Sequence, residues 1–521
     1  MNPSEMNISK EKFVFVNKEN KIHDRELVTK PVSYFVDAWR RFKRNKASIV
    51  AACIILFLVL FAIFAPLFSP FKVAYTDSYY RYALPKLEIC EKLNLGFLDG
   101  CEKRELNEAT FYLNYAKGVE TGHNAIKNQE YKIIETEDNK GKIVNYYKVN
   151  FDTYQENGCI SMDLTEDRYL LLQQYQDETN IQVIYPMTDV NLRPQFGFAA
   201  NDANYWFATK RVNGIYVPSE VTRNDDGTYS FKDIYLSYTG IDNYKSLRVE
   251  GDEPKYDYAY KNQTGYNVRV NYYEYYIFVH TYELKDGIKK PVFIFGTTTT
   301  GQDLFTCLAS GARFSLIFAV LVAVVNLIVG AIYGAIEGYY GGKIDLVMER
   351  IVEILSAIPF MIVITLLKYH MENSSQILVL FIAFFLTGWI GMAGRTRMQF
   401  YRFKNQEYVL SARTLGAKDG RIMFKHIFPN ALGTLITGCV LIIPGMIFSE
   451  TSLSYLGIIN LNSGNLTSVG SLLANGQTAL GTHPHIALFP SLFISLLMLS
   501  FNLFGNGLRD AFNPSLRGSE D

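Results

Sequence analysis

Six apolar runs divide an otherwise polar chain. Ala47 to Phe71 is 25 residues without a charge, and a helix needs about 20 such residues to cross a hydrocarbon core. Ser315–Ile336, Gln376–Gly394, Ile427–Ser449 and Ile486–Leu508 are also uncharged. Ile354–Leu367 has only 14 uncharged residues and reaches spanning length when extended back through Glu353 and Ile351. The pattern predicts six transmembrane helices, at 47–71 and about 314–337, 351–368, 376–394, 429–450 and 486–508.

Between the first and second runs the pattern changes. Residues 72–295 are polar and rich in Tyr, Asn, Asp and Lys, and alternating stretches flank turn dipeptides. Asp226-Gly227 separates Glu220-Val-Thr from Thr228-Tyr-Ser-Phe, and Asn139-Lys-Gly-Lys separates Tyr131-Lys-Ile-Ile from Ile143-Val-Asn-Tyr. Asp286-Gly287 lies between Tyr276-Ile-Phe-Val-His-Thr-Tyr and Pro291-Val-Phe-Ile-Phe. These read as hairpins, and the segment reads as a β-rich globular domain large enough for its own core. Before the first run, residues 1–30 are polar, and Phe35, Trp39 and Phe42 recur at helical spacing among Arg40, Arg41, Lys43, Arg44 and Lys46. That is the pattern of an amphipathic helix lying in a membrane interface.

Charge orients the spans. The basic residues before Ala47 place segment 1–46 in the cytoplasm and the 72–295 insert outside the cell. Counting through the spans puts loop 395–428 and tail 509–521 inside; the loop carries eight basic residues through Lys425 against Glu407 and Asp419. The fold class is thus an α-helical integral membrane protein with a large extracellular β-rich insert, its core at 296–508 and both termini cytoplasmic. The 51 basic and 51 acidic side chains balance, which argues against a nucleic-acid surface. Six scattered cysteines form no CxxC pair. Cys90 and Cys101, in the insert, are a candidate disulfide if that compartment is oxidising.

The cytoplasmic loop is longer and more patterned than a connection requires. Leu410, Thr414 and Ala417 with Ile422 and Ile427 form an apolar stripe at helical spacing, and Ala412, Gly416 and Ala417 are small enough for close approach by another backbone. Pro429 is placed to start the next span. By itself this fits either a docking helix or a linker packed on its own bundle. Glu353 and Glu450 are candidate intramembrane functional carboxylates, the alternative being structural roles near the two surfaces. His483-Pro-His485 reads as a loop rather than a metal site. Gly341-Gly-Lys-Ile lacks the earlier Gly and the Ser/Thr of a phosphate-binding loop. No catalytic constellation and no metal-ligand set emerges.

Segment 407–432 resembles the EAA loop of bacterial ABC importer permeases, with Gly416 and Pro429 at the family spacing. Leu410-Ser411-Ala412 occupies the Glu-Ala-Ala positions, and His426 and Phe428 stand at the Ile and Leu positions. The flanks resemble the C-type permease subunits of oligopeptide/dipeptide ABC importers (OppC/DppC-like). The matching stretches are Ala38-Trp-Arg-Arg-Phe-Lys-Arg-Asn-Lys46, Phe64-Ala-Pro-Leu67, Phe295-Gly-Thr-Thr-Thr-Thr-Gly-Gln-Asp303 and Gly338-Tyr-Tyr-Gly-Gly342. Ile358-Pro-Phe360, Glu450-Thr-Ser-Leu-Ser-Tyr-Leu-Gly457 and Phe501-Asn-Leu-Phe-Gly-Asn-Gly-Leu-Arg-Asp510 match as well. The insert at 72–292 is not covered.

The resemblance implies a six-helix transport subunit without catalysis of its own, in a bacterial plasma membrane. Its implied partners are a second permease (OppB-like), two ATPase subunits (OppD/OppF-like) that bind ATP and magnesium, and an extracellular substrate-binding lipoprotein (OppA-like). The chain would bind no cofactor. Glu407, Leu410, Ser411, Ala412, Arg413, Gly416, Ala417 and Pro429 become the candidate coupling residues, with oligopeptide as the substrate. Dipeptides or nickel are alternative cargoes. A membrane-anchored receptor or adhesin explains the insert but not the patterned loop.

Overall fold

A computed structural model describes residues 34–93, 96–127, 132–137, 143–189, 202–212, 214–225, 227–237, 255–461 and 466–512. Segment 1–30 and the end of the tail fall outside the described residues.

The chain begins with α1 (Tyr34–Arg44) and α2 (Lys46–Phe68). Asn45 separates them, its side chain accepting a 3.2 Å bond from the Ser48 amide and so capping α2. The insert follows, with α3 (Glu88–Lys92), β1 (Cys101–Asn107), α4 (Glu108–Thr121), β2 (Lys132–Glu137), β3 (Ile143–Asp152), β4 (Cys159–Leu164), α5 (Glu166–Thr179) and β5 (Ile184–Tyr185). It continues with β6 (Thr209–Val212), β7 (Ile215–Pro218), β8 (Val221–Arg223), β9 (Tyr229–Phe231), β10 (Ala259–Lys261), β11 (Tyr266–Asn271) and α6 (Tyr272–Phe278).

The helical core comprises α7 (Leu304–Tyr340), α8 (Gly342–Ser356), α9 (Phe360–His370), α10 (Gln376–Gly388), α11 (Ile390–Phe403) and α12 (Glu407–Thr414). After it come α13 (Asp419–Arg421), α14 (Phe428–Tyr455), α15 (Val469–Gln477) and α16 (His485–Phe512).

Among the described residues, five helical stretches are long and apolar enough to cross a membrane: Lys46–Phe68, Leu304–Tyr340, Gln376–Phe403, Asp419–Tyr455 and His485–Phe512. The third expected span, at 351–368, is not one straight helix, and it makes a sixth crossing only if a bent pair counts as one span. It is a pair, α8 and α9, bent by 73°. Pro359 explains the break, because its ring disfavours helical geometry at Ile358 and it donates no amide hydrogen. The span expected from Pro429 is also corrected, since its helix starts at Asp419 and passes through a π-helical turn at Ile422–Ile427. The 37 residues of α7 run about 55 Å. Its first turn is buried and capped by the Asp303 carboxylate, which accepts from the Thr306 amide at 2.8 Å.

Glycine decides how α7 meets α11. Gly330, Gly334 and Gly338 recur every four residues on one face of α7, against the backbone of α11. A Cβ at Gly330 would lie 2.7 Å from the Trp389 carbonyl oxygen, and one at Gly338 2.8 Å from that of Arg397. Small residues at this spacing let membrane helices pack backbone to backbone. Elsewhere α2 packs on α16, where Ser48 fills the space beside Gly507. Helix α1 lies across the end of α16, with the Phe42 and Phe504 rings 5.3 Å apart.

The insert corrects a further expectation, because its described residues are mixed α and β rather than β-rich. It holds an antiparallel sheet of order β1-β3-β2, a sheet of order β10-β11-β4 with β5 also on β11, and the hairpins β6–β7 and β8–β9. Two predicted hairpins are present. β2 and β3 pair from Glu137↔Ile143, and β8 and β9 flank Gly227 at φ +84°. Their turn residues 139–142 and Asp226 lie outside the described residues. The third is not a hairpin. Tyr272–Phe278 is helical, capped by the Asn271 side chain, and Val279–Glu283 is a π-helical turn. Tyr272, Tyr275, Tyr276 and Phe278 face the insert's core at helical spacing, so packing overrides the strand preference of tyrosine.

Cys90 and Cys101 are free thiols, so the expected disulfide is not formed. Cys90 is buried in α3, and Cys101 starts β1 beside Asp99. Burial, with Asp152 and Asp99 nearby, pushes the Cys101 thiol up to about 12, which suppresses thiolate reactivity.

The insert and the bundle share a hydrogen-bonded seam. Gly301 accepts from the Asp77 amide at 3.1 Å, Thr297 donates its amide to Ala83 at 3.0 Å, and Gln302 donates to the Val73 carbonyl at 2.7 Å. The Phe295–Asp303 stretch therefore does three things. It closes the insert against its own beginning, makes turns at Gly296 and Gly301 (φ +76° and +81°), and caps α7.

Candidate functional site

The 407–429 loop folds as a helix with a defined stop. Gln406 leads in with extended backbone, and Glu407 sits in the first turn of α12, where a carboxylate favours the helix dipole. The stop is a Schellman motif: the Gly416 amide bonds the Arg413 carbonyl at 3.0 Å and the Ala417 amide bonds the Ala412 carbonyl at 3.1 Å. Gly416 has φ +79°, and a Cβ there would meet nothing within 4 Å. Glycine is therefore required by backbone conformation and not by space. Replacing Gly416 with alanine is expected to loosen the α12 terminus by about 1 kcal/mol. Faster amide hydrogen exchange over 412–417, without global unfolding, checks this.

The helix is fixed to the core on one side. Val409 is buried with Ala335, Tyr339, Phe400, Ile422, Met423 and Ile427. The Tyr339 hydroxyl donates to Asp419 at 2.6 Å, and the Arg413 guanidinium lies 5.8 Å from the Tyr339 ring centroid. The Gly338-Tyr-Tyr-Gly-Gly342 motif thereby acquires a physical role. Gly338 lets α11 approach, Tyr339 holds the loop, and Gly341 ends α7 at φ +66°. Arg397 ties the same region together, 2.7 Å from Asp345, 3.1 Å from Glu349 and 3.4 Å from Glu337.

The opposite side of α12 is open. Leu415 is 87% exposed and Leu410 43%, with Glu407, Ser411, Thr414 and Gly416 also exposed. This corrects the expected stripe: Leu410 and Thr414 face outward, Val409 is the inward anchor, and Ala417 is half-buried beyond the cap. Ala412 is half-buried and Arg413 exposed. Pro429 lies in the first turn of α14 after the π-helical turn. Val409, Tyr339 and Leu415 are site residues that the sequence pattern does not single out, although the tyrosine lies within the Gly338–Gly342 motif.

The two carboxylates are not brought into one site. Glu450 on α14 is buried and accepts from the Ser315 hydroxyl at 3.0 Å and the Ser454 hydroxyl at 3.1 Å, which joins α14 to α7. Glu353 on α8 is exposed and pairs with Arg350 one turn back. His483 stacks on Tyr82 with ring centroids 4.7 Å apart, and His485 is buried beneath Gly296, so both belong to the seam.

Comparison with known proteins bears on this geometry. Residues 327–518 match the family described as binding-protein-dependent transport system inner membrane component. Residues 33–85 match the N-terminal TM domain of oligopeptide transport permease C. The chain is 43% identical over 223 residues to the oligopeptide transport system permease protein OppC of Bacillus subtilis (strain 168), covering 43% of this chain and 72% of that protein. The chain belongs to this permease family. It is also 41% identical over 224 residues to the dipeptide transport system permease protein DppC of Bacillus subtilis (strain 168), covering 43% of the permease and 69% of its relative. The figures for OppC of Escherichia coli (strain K12) are 41% over 224 residues, 43% and 72%. The two family matches leave most of the insert between them.

Proposed function

We propose that this permease is one subunit of an ATP-driven peptide importer and forms half of its translocation pathway. It works with a homologous second permease, two separate ATPase subunits that bind ATP and magnesium, and a substrate-binding lipoprotein. The observation that carries the reading is the two-sided α12. One side is anchored by Val409 and the Tyr339–Asp419 bond, and the other presents Leu410 and Leu415 to a partner. A short rigid helix of this kind can transmit closure of an ATPase pair to α7, α11 and α14. The relatives' printed names, oligopeptide and dipeptide permeases, support peptide as the cargo.

In this reading α12 and both termini are cytoplasmic, in agreement with the basic loop and α1, and the insert is extracellular. There the insert guides the binding protein over the seam. A cleft of about 570 Å³ lined by Lys368, Tyr369, Glu372 and Ile458 opens between α9, α10 and the loop after α14, on the insert's side of the membrane. Purification of the full-length chain from its own membrane tests the assignment. Two ATPase polypeptides are expected with it; a chain recovered without any ATPase would favour a receptor.

A further inference from the structure

At the end of the bundle that carries α12, helices α11, α14 and α16 enclose a pocket of about 440 Å³. Arg395 and Arg402 on α11 and Arg509 on α16 line it, and no carboxylate is among its lining residues. Arg395 is oriented by a 3.1 Å bond to the Gly438 carbonyl. Arg509 lies 3.7 Å from Asp510, its neighbour in the chain. The Gln399 side-chain oxygen, also lining the pocket, is buried and takes no hydrogen bond; rotating that carboxamide presents its NH2 donors instead. Three guanidinium groups and a carboxamide line one pocket, so an anion entering it finds several donors at once.

The pocket is also amphipathic. Met398 and Leu441 form apolar wall, and Met398 is 62% exposed. Phe512, another lining residue, packs in the cluster that holds α1 by Ala38 and Phe42. Helix α1 carries Trp39, 56% exposed, among basic side chains, the composition of an interfacial helix. In the membrane placement proposed above, the pocket opens where headgroups meet acyl chains.

We infer that this pocket binds a phosphate-bearing anion, supplied by the headgroup of an anionic phospholipid in the cytoplasmic leaflet. Guanidinium groups pair with phosphate through two parallel hydrogen bonds. Basic pockets between membrane helices on the cytoplasmic side take such headgroups. A free phosphate ion would use the arginines and leave the Met398–Leu441 wall without a role. The inference rests on the membrane placement proposed above and not on the importer's cargo or partners.

The test uses the purified full-length chain in neutral detergent, titrated separately with dioctanoyl phosphatidylglycerol, dioctanoyl phosphatidylcholine and inorganic phosphate, with binding read from the shift in melting temperature. Saturable binding of phosphatidylglycerol, roughly tenfold or more tighter than of the other two, is expected. Arg402→Gln and Arg509→Gln should each weaken it roughly fivefold, with partial recovery in Arg402→Lys. Neither side chain is buried, so unliganded melting temperatures should match the wild type. Inorganic phosphate binding as tightly as phosphatidylglycerol overturns the lipid as the source. Unchanged phosphatidylglycerol affinity in the Arg402→Gln/Arg509→Gln double variant overturns the site. Since no ATPase or binding protein is present, failure of the importer assignment produces neither result.

Discussion

Replacing Gly334 with leucine is expected to unseat α11 from α7 and to abolish the folded permease. A Cβ at this position would overlap the Ala393 carbonyl oxygen and lie 2.9 Å from the Arg397 amide nitrogen. Both obstructing atoms are backbone, so no side chain can turn aside. Overpacking ordinarily costs about 1–3 kcal/mol, and a branched side chain forced between two helix backbones belongs at or above the top of that range. The consequence reaches the loop, because Phe400 and Tyr339, which hold Val409, lie on these two helices. Thermal unfolding of the purified chain in detergent should show the loss. Gly391 and Gly394 on α11 have open space where a Cβ would stand, and leucine at either should leave the melting temperature nearly unchanged.

Leu410→Asp combined with Leu415→Asp is expected to detach the ATPase while leaving the permease intact. Neither side chain belongs to the buried cluster that fixes α12, so folding should be unaffected. An exposed apolar pair at the centre of an interface is where binding energy concentrates, and two buried charges there should cost about 2 kcal/mol or more. That is roughly a thirtyfold loss of ATPase affinity, measurable by titrating ATPase onto immobilised permease. Leu410 makes the case specific. It stands where the EAA loop carries its glutamate, so the docking proposed for α12 would be apolar at this position and should be insensitive to salt.

The membrane helices were legible because an uncharged run of bilayer length has few other uses. Their ends were less so. The first turns of α7 are apolar but cut off from the uncharged run by Arg313, and the stretch from Asp419 to Phe428 is helical but interrupted by charges, so a count of uncharged residues misses both. The bend between α8 and α9 was written in Pro359, yet the apolar count on either side suggested one straight span. In the loop, the Gly416-to-Pro429 spacing marked the candidate segment but not which face of its helix turns inward. Extrapolating helical spacing from Leu410 through Thr414 to Ala417 ran past the Schellman stop, and the anchor is Val409, one residue earlier. In the insert, Tyr272–Phe278 is made of residues that favour strands and is helical because four aromatic side chains enter one core from one face. That outcome depends on partners far away in sequence, as does the close approach that requires Gly330, Gly334 and Gly338.

The most direct measurement is ATP-dependent accumulation of a labelled oligopeptide in proteoliposomes holding this chain with the proposed second permease, ATPase pair and binding lipoprotein. Uptake with the wild-type chain, and its loss with Leu410→Asp/Leu415→Asp at equal permease incorporation, is the predicted result. Uptake by that variant at the wild-type rate would contradict coupling through α12.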